Sequence, residues 1–444
     1  MVNRKVMNVE MKRKTFSSQL GFMLATIGFS VGVGTIWRFP YICGKYGGGL
    51  FLLTYILMMI IIGIPLFSAE VSMGLATRQT PVGAYKKIAP KKSWHIVGWF
   101  HMICIIMIIG YTAPVYAWII HYVYATLFGI FDGMKSSEII NYFEVFISNK
   151  SLVFSLFLVN TLVTMMVVRN DLQSGLEKIS KILLPILTVI IATLIIVGLR
   201  LEGGMEGLKF FFTINFESFS IEGVLVALGQ TFFSLGIAMA VAMIFGSYQN
   251  QDKLNVIKNS TIVVFSTIIV AIASGMMIFP MASAFGVEMS AGSELTFITM
   301  PNIFNQMLKG RLWGTIFYIG FYIAAFSSGV AGWEAVISFF MEQFNITRRK
   351  GLFTTFIAVC LISVPSILSG FMFNLFDMLV NNLFLISGAF AMSVFIGWFW
   401  GIDNMAKTCN IEKNTLGYYF LKLTVKYASP IIVFILSLSF FKVI

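Results

Sequence analysis

Three groups of residues in this chain have the types and spacing to do chemistry, and all three sit inside long apolar runs. The first is Gly28-Phe29-Ser30-Val31-Gly32-Val33-Gly34-Thr35-Ile36-Trp37-Arg38-Phe39-Pro40. Its closely spaced glycines weaken a helix by about 1 kcal/mol each relative to alanine. In hydrocarbon an unwound stretch is tolerated only where its N–H and C=O groups face protein, water or a ligand. The second group, Ala324-Ala325-Phe326-Ser327-Ser328-Gly329, sets two hydroxyls side by side. In a helix such hydroxyls usually bond back to the preceding turn. Beside freed carbonyls they complete the all-oxygen cage that a hard cation requires. The third, Gln230-Thr231-Phe232-Phe233-Ser234-Leu235-Gly236-Ile237-Ala238-Met239-Ala240, is a softer break around one central glycine.

Each group also has a plainer reading. Gly28 and Gly32 have the spacing of a close helix-packing face, but packing accounts for neither Gly34 nor Arg38. A simple Arg38 would snorkel to the interface, whereas an intramembrane ionisable residue is a functional hypothesis by default. Among the other acids in or at the ends of apolar runs, Glu70, Glu334, Glu342 and Asp377 are singled out. There is no Gly-x-x-x-x-Gly-Lys-Ser/Thr loop, so ATP hydrolysis by that route is excluded. His95, His101 and His121 lack metal-ligand spacing. No Ser/His/Asp or Cys/His set stands out, and the chain reads as a non-enzyme.

These groups need a membrane scaffold to position them. The chain has 444 residues, 58% hydrophobic and 11% charged, against a soluble average of roughly 45–50% and about 25%. Apolar segments suited to spanning lie at 18–43, 50–75, 96–128, 150–168, 176–199, 220–247, 258–284, 311–341, 352–371, 375–400 and 417–441, each long enough to supply the roughly 20 residues that cross a bilayer. The net charge of +12 is clustered between these runs, which is the bias that orients membrane proteins and not a nucleic-acid footprint. With the N-terminus in the cytoplasm, 22 of the 31 Lys and Arg fall on the inner side, and an odd number of spans places Ile444 outside. Arg4, Lys5, Lys12, Arg13 and Lys14 precede an apolar run without an A-x-A site, read as a retained first helix. Cys43, Cys104, Cys360 and Cys409 lie in apolar runs or an inner loop, so no structural disulfide is expected. Outer connections near 129–149, 200–219 and 285–310 are not linkers, and one membrane domain covering 1–444 follows. The interrupted sixth run lies five spans after the interrupted first, the pattern that points to an inverted-repeat transporter with its site at the midplane.

The chain resembles the neurotransmitter:sodium symporters, and in particular the short bacterial amino-acid members. The resemblance rests on Gly32-Val33-Gly34-Thr35-Ile36-Trp37-Arg38-Phe39-Pro40-Tyr41 followed by Gly47-Gly48-Gly49, with Gly63-Ile64-Pro65 and Ala69-Glu70 in the right order. It implies an all-α polytopic protein of eleven transmembrane helices: a cytoplasmic segment 1–17, one repeat over 18–199, an inverted second over 220–400, and an extra helix at 417–441. The first and sixth helices would be unwound around the site.

By that resemblance one sodium site maps onto the carbonyls of Gly28, Val31 and Ala324 and the hydroxyls of Ser327 and Ser328. A second would use Ser30 and Ser234, with Thr35 and Thr267 where the family commonly supplies Asn; a Thr hydroxyl is shorter than an Asn amide and a different donor. Ala271 makes chloride dependence unexpected. The substrate position would be lined by Ser30, Gly32, Val33, Gly34, Ile108, Thr112, Val115, Phe233, Ser234, Gly236, Met239 and Ser328. Thr112 stands where the family usually has Tyr. Gly32 stands where monoamine carriers have Asp, favouring an amino acid over an amine. Apolar walls suggest a hydrophobic or aromatic residue. An outer gate would pair Arg38 with Asp377 under Tyr111 and Phe233; an inner gate would pair Arg13 with Glu342, with Tyr248, Ser247 and Glu334 nearby.

The expected function is sodium-coupled import of a neutral L-amino acid by alternating access in the cell membrane. The expected partners are the substrate, sodium and the bilayer, with the chain a monomer or weak homo-oligomer. The alternatives are a non-transporting amino-acid receptor or scaffold, and a sodium-independent or proton-coupled carrier on the same fold.

Overall fold

The computed structural model describes residues 15–32, 34–170, 172–249, 255–286 and 295–440. Among these residues the chain is helical and has no strand. Nine helices are long and apolar enough to cross a membrane: Gly49–Thr77, His95–Leu127, Lys150–Val168, Gln173–Leu199, Val256–Ala284, Gly310–Phe344, Arg348–Leu368, Gly370–Thr408 and Leu416–Ile435. Gln19–Ser30 and Gly34–Lys45 together are long and apolar enough to cross only as a bent pair, and Ile221–Leu235 is a shorter apolar helix followed, after a break, by Val241–Ser247.

The first run starts at Ser18, whose hydroxyl accepts the Gly21 N–H at 3.0 Å as a helix cap. It continues as Gln19–Ser30, then loses its ladder and resumes over Gly34–Lys45 at an angle of 50°. The second half opens with a wide turn over Gly34–Arg38, and Pro40 follows at the start of regular helix, where its missing N–H costs nothing. The break falls on the glycines, as their weak helix propensity predicts.

The sixth run is Ile221–Leu235, capped by Ser220, then a break, then Val241–Ser247. The chain turns at Gly236 with φ +65°, and Ala238 and Ala240 adopt φ +64° and +66°. That left-handed conformation costs an L-residue roughly 1–2 kcal/mol, so something must hold the alanines there. Glu70, fully buried on the Gly49–Thr77 helix, accepts the Ala238 N–H at 2.8 Å. The inner half of the sixth run packs backbone to backbone on the same helix. A Cβ on Gly74 would sit 1.8 Å from the Met243 carbonyl, and one on Gly246 2.3 Å from that of Val71. Only glycine permits that approach.

The connections near 129–149, 200–219 and 285–310, not read as linkers, carry the short helices Ser136–Ser148, Gly204–Phe212 and Met300–Gln306. Ile139, Phe143, Phe146 and Phe211 bury an apolar face of these helices against the bundle. The four cysteines are free thiols.

Candidate transport site

The two breaks and the helices around 105–116 and 328–329 enclose one cavity, of about 60 Å³ counted by where the centre of a water molecule can go. Ser30, Gly32, Gly34, Ile108, Thr112, Phe233, Ser234, Met239 and Ser328 line it, as placed from sequence. Two others placed there do not. Val115 is buried in helix packing, one residue short of the face that carries Tyr116. Gly236 is covered by the ring of Phe29, whose Cε1 lies 2.1 Å from where a Gly236 Cβ would be. Val33 falls outside the described residues.

Sequence reasoning missed Phe29, Ile105, Ile109, Tyr116 and Gly329, which also line the cavity. A signal existed for three of them. Residues 105, 108, 109, 112 and 116 recur at the spacing of one helical face, so Ile108 and Thr112 implied their neighbours.

Missing side chains shape the walls. A Cβ on Gly34 would lie 2.3 Å from Cδ1 of Phe233, and one on Gly32 2.6 Å from Oγ of Ser328. The first run therefore lies directly against the sixth and eighth. Gly34 is both cavity wall and the opening residue of the outer half-helix. The N–H groups of Thr35 and Ile36 donate to the Gly32 carbonyl at 3.1 and 3.2 Å, so what this helix start offers a carboxylate is the partial positive charge of its aligned peptides. Side-chain hydroxyls of the wall are mostly committed elsewhere: Thr112 donates to the Ile108 carbonyl at 2.6 Å, and Tyr116 and Ser328 both donate to that of Ala325, at 2.9 and 3.0 Å. The Ser30 hydroxyl is buried with no hydrogen-bond partner among the described residues. Gln230 ties the two breaks together, its Nε2 donating to the Gly34 carbonyl at 2.8 Å and to Ser234 Oγ at 3.0 Å.

Oxygen donors for a cation cluster beside the cavity. Ser327 Oγ lies 3.0 Å from the carbonyls of both Gly28 and Ala324. These three groups come together from the first and eighth runs, and Ser328 follows on the same helix. Gly28, Ala324 and Ser327 thus bring neutral oxygens together, the donor type that suits a hard monovalent ion; Val31 and Ser328, expected in the same set, lie on the same two runs. Around the other proposed site, Thr35 donates to the Ser30 carbonyl at 2.8 Å, so these two are adjacent. Thr267 instead donates to the Val263 carbonyl on its own helix at 2.9 Å.

At the expected outer gate the residues are arranged differently from simple charge pairing. There Asp377 Oδ1 accepts from Tyr111 at 2.9 Å and from Asn381 at 2.8 Å. Arg38 lies over the Phe233 ring, 5.0 Å from its centre, and among the described residues no ion pair joins it to Asp377. Phe233 is at once cavity wall and platform for the arginine, which is attracted by the ring face. On the inner side Arg13 lies outside the described residues. Glu342 accepts the Thr80 N–H at 2.9 and 3.0 Å and the Thr80 hydroxyl at 2.9 Å, just ahead of the short helix Pro81–Ile88. Ser247 donates to the Ile244 carbonyl at 2.5 Å. Tyr248 bonds to Ser338 and reaches Glu334 at 3.5 Å. Sequence reasoning missed the inner partner of Glu334: Arg348, forked onto it at 2.5 and 3.1 Å.

A sequence model described as the sodium:neurotransmitter symporter family matches residues 13–136 and 139–444. The uncharacterized sodium-dependent transporter YhdH of Bacillus subtilis is 31% identical, with 87% of this chain and 88% of that protein covered. An uncharacterized sodium-dependent transporter of Haemophilus influenzae is 27% identical, with 96% and 98% covered. The crystal structure of MhsT in complex with L-phenylalanine superposes with a TM-score of 0.89 at 30% identity, covering 96% of this chain and 99% of that one. Its helices and those described here follow the same overall course. With nearly its whole length matched by the family model, the chain is a multi-pass membrane protein that belongs to the sodium:neurotransmitter symporter family, a transporter family and not an enzyme family.

Proposed function

We propose that this protein imports a neutral, hydrophobic or aromatic L-amino acid together with sodium, by alternating access across the cell membrane. The observation that carries the reading is the cavity itself: a small space walled by Phe29, Ile105, Ile108, Ile109, Phe233 and Met239, closed between two main-chain breaks. A zwitterion divides naturally across it. The carboxylate lies near Gly34 at the start of the outer half-helix, and the amine near Ser30, Ser234 and the freed carbonyls. The side chain enters the apolar part. The absence of an acid at Gly32 leaves no fixed counter-charge for a lone amine. That MhsT is known in complex with L-phenylalanine agrees with an aromatic ligand. At roughly 10–15 Å³ per water on this measure, about 60 Å³ is tight for an aromatic ring. Met239, unbranched and adaptable, is the wall that yields.

Sodium occupies the set around Ser327, and a second ion is held more weakly near Ser30 and Thr35, where Thr267 turns back on its own helix. No chloride is required, since Ala271 offers no donor or charge. The repeats 18–199 and 220–400 move against each other, with the N-terminus inside and 417–441 outside the repeat. Each sodium moving inward gains about 2.3 kcal/mol per 100 mV of inside-negative potential. Coupling requires that sodium favour one state, because a ligand bound equally by both shifts nothing.

Two measurements test this. Counterflow of a labelled aromatic amino acid in proteoliposomes separates a carrier from a receptor: exchange is expected, and binding without exchange contradicts import. A competition panel of the twenty amino acids, with and without sodium, should rank aromatic and large aliphatic residues first. Preference for charged or very small residues would contradict the pocket reading.

A further inference from the structure

The cation set around Ser327 draws its oxygens from the first and eighth runs, and a third helix also packs against Gly28. Ser180, on the helix Lys178–Leu199, is 1% exposed and its hydroxyl has no hydrogen-bond partner among the described residues. That is unusual on this helix. Thr188 and Thr193, further along it, donate to the carbonyls of Leu184 and Val189 at 2.9 and 2.8 Å, the ordinary fate of a helical hydroxyl. Ser180 Oγ instead faces Gly28. The point where a Gly28 Cβ would sit lies 3.5 Å from Ser180 Oγ, 3.8 Å from Ser327 Cβ and 3.9 Å from Leu184 Cδ1. Gly28 thus leaves open a small space between the two serines, and the Gly28 carbonyl is already within 3.0 Å of Ser327 Oγ. A buried hydroxyl left without a partner carries a free-energy cost unless a ligand satisfies it.

We propose that the Ser180 hydroxyl is a further oxygen ligand of the sodium held between Gly28 and Ser327, so that the helix Lys178–Leu199 grips the cation together with the first and eighth runs. The inference rests on the sodium site proposed above. It adds a ligand from a helix that otherwise contributes nothing to that site, and it gives the unpaired hydroxyl its partner. The wide turn over Gln173–Glu177 lies directly before Ser180, and Glu177 there accepts from the N–H and hydroxyl of Ser17, just ahead of the first run. The same helix therefore holds the first run at its inner end and, through the ion, at its break.

The test is equilibrium binding of radiolabelled sodium to the purified full-length protein in detergent, with choline keeping ionic strength constant. It is paired with thermal melting in sodium and in choline. Ser180→Ala should weaken sodium binding about fivefold, the loss of one neutral oxygen contact. It should shrink the sodium-induced rise in melting temperature, while melting in choline stays equal to or above wild type because an unsatisfied hydroxyl has gone. A merely structural serine would lower melting in both salts alike. Ser327→Ala reports on the underlying site, and Ser429→Ala, a buried unpartnered hydroxyl on the last helix, is the control. Wild-type sodium affinity in Ser180→Ala with a loss in Ser327→Ala overturns this inference alone. Unchanged affinity in Ser327→Ala overturns the sodium-site reading beneath it. An equal loss in Ser429→Ala would also overturn the assignment, since it would trace the effect to removal of any buried hydroxyl.

Discussion

Glu70 accepts the main-chain N–H of Ala238 at 2.8 Å, one side chain bracing the break in the sixth run across 168 residues of sequence. Ala238 is held at φ +64° with Ala240 at +66°, a conformation the sequence has no local reason to adopt. The break is therefore maintained by tertiary contact and not by weak helix propensity alone.

Removing that brace should be costly, and the two obvious substitutions should differ. Glu70→Ala leaves a buried N–H without an acceptor and should destabilise by about 1–3 kcal/mol. Glu70→Gln keeps an acceptor oxygen and should lose less than half as much. Ala238→Gly relieves the positive φ and should raise stability by about 1 kcal/mol. Thermal melting in detergent measures all three; equal losses for Gln and Ala would argue that the charge and not the hydrogen bond is what counts.

Closure on the outer side should depend on Tyr111. Tyr111→Phe deletes the 2.9 Å bond to Asp377 and leaves the Arg38 stack on Phe233 untouched. A hydrogen bond to a carboxylate is worth about 1.5–3 kcal/mol, so bound substrate should dissociate about tenfold faster or more. A filter-binding chase gives the rate. No change would place the outer closure elsewhere.

Pocket size should be set by Met239. Truncation by Met239→Ala adds room in a cavity of about 60 Å³, and affinity should shift toward bulkier rings. The ratio of dissociation constants for leucine over tryptophan is expected to rise at least severalfold. A uniform loss for both ligands would mean that Met239 supports the fold and does not select.

The inner network makes a sharper thermodynamic demand. Glu334 is 1% exposed and is bound by Arg348 at 2.5 Å. Arg348→Ala strands a buried carboxylate and should cost about 3–5 kcal/mol, whereas the double variant with Glu334→Gln should recover much of that loss. Additive losses in the melting series would show that the two residues act independently.

Much of this was legible in the sequence, for identifiable reasons. Gly28, Gly32 and Gly34 beside Arg38 marked the first break, because glycines and a charge in an apolar run cannot be explained by lipid exposure. Ser327 and Ser328 were legible as a hydroxyl pair, and the structure brings Ser327 to Gly28. The sixth run was harder. Gly236 was visible, but the left-handed residues beyond it are alanines, and their brace is a distant glutamate. Tyr116 was hidden as an ordinary helix aromatic, although it shares a face with Thr112. The gate residues suggested opposite charges in contact; hydrogen-bond geometry gives Asp377 to Tyr111 and Arg38 to an aromatic face instead, a pairing that charge counting does not reveal.

The central claim is that movement of sodium down its gradient drives the amino acid through the cavity between the two breaks. Proteoliposomes carrying the purified chain, with labelled phenylalanine outside and an imposed inside-negative potential, test it most directly. Inward sodium should drive accumulation above the outside concentration, and replacing sodium with choline should abolish it at both neutral and acidic pH. Equal accumulation in choline, or accumulation driven by acid outside without sodium, would contradict the account.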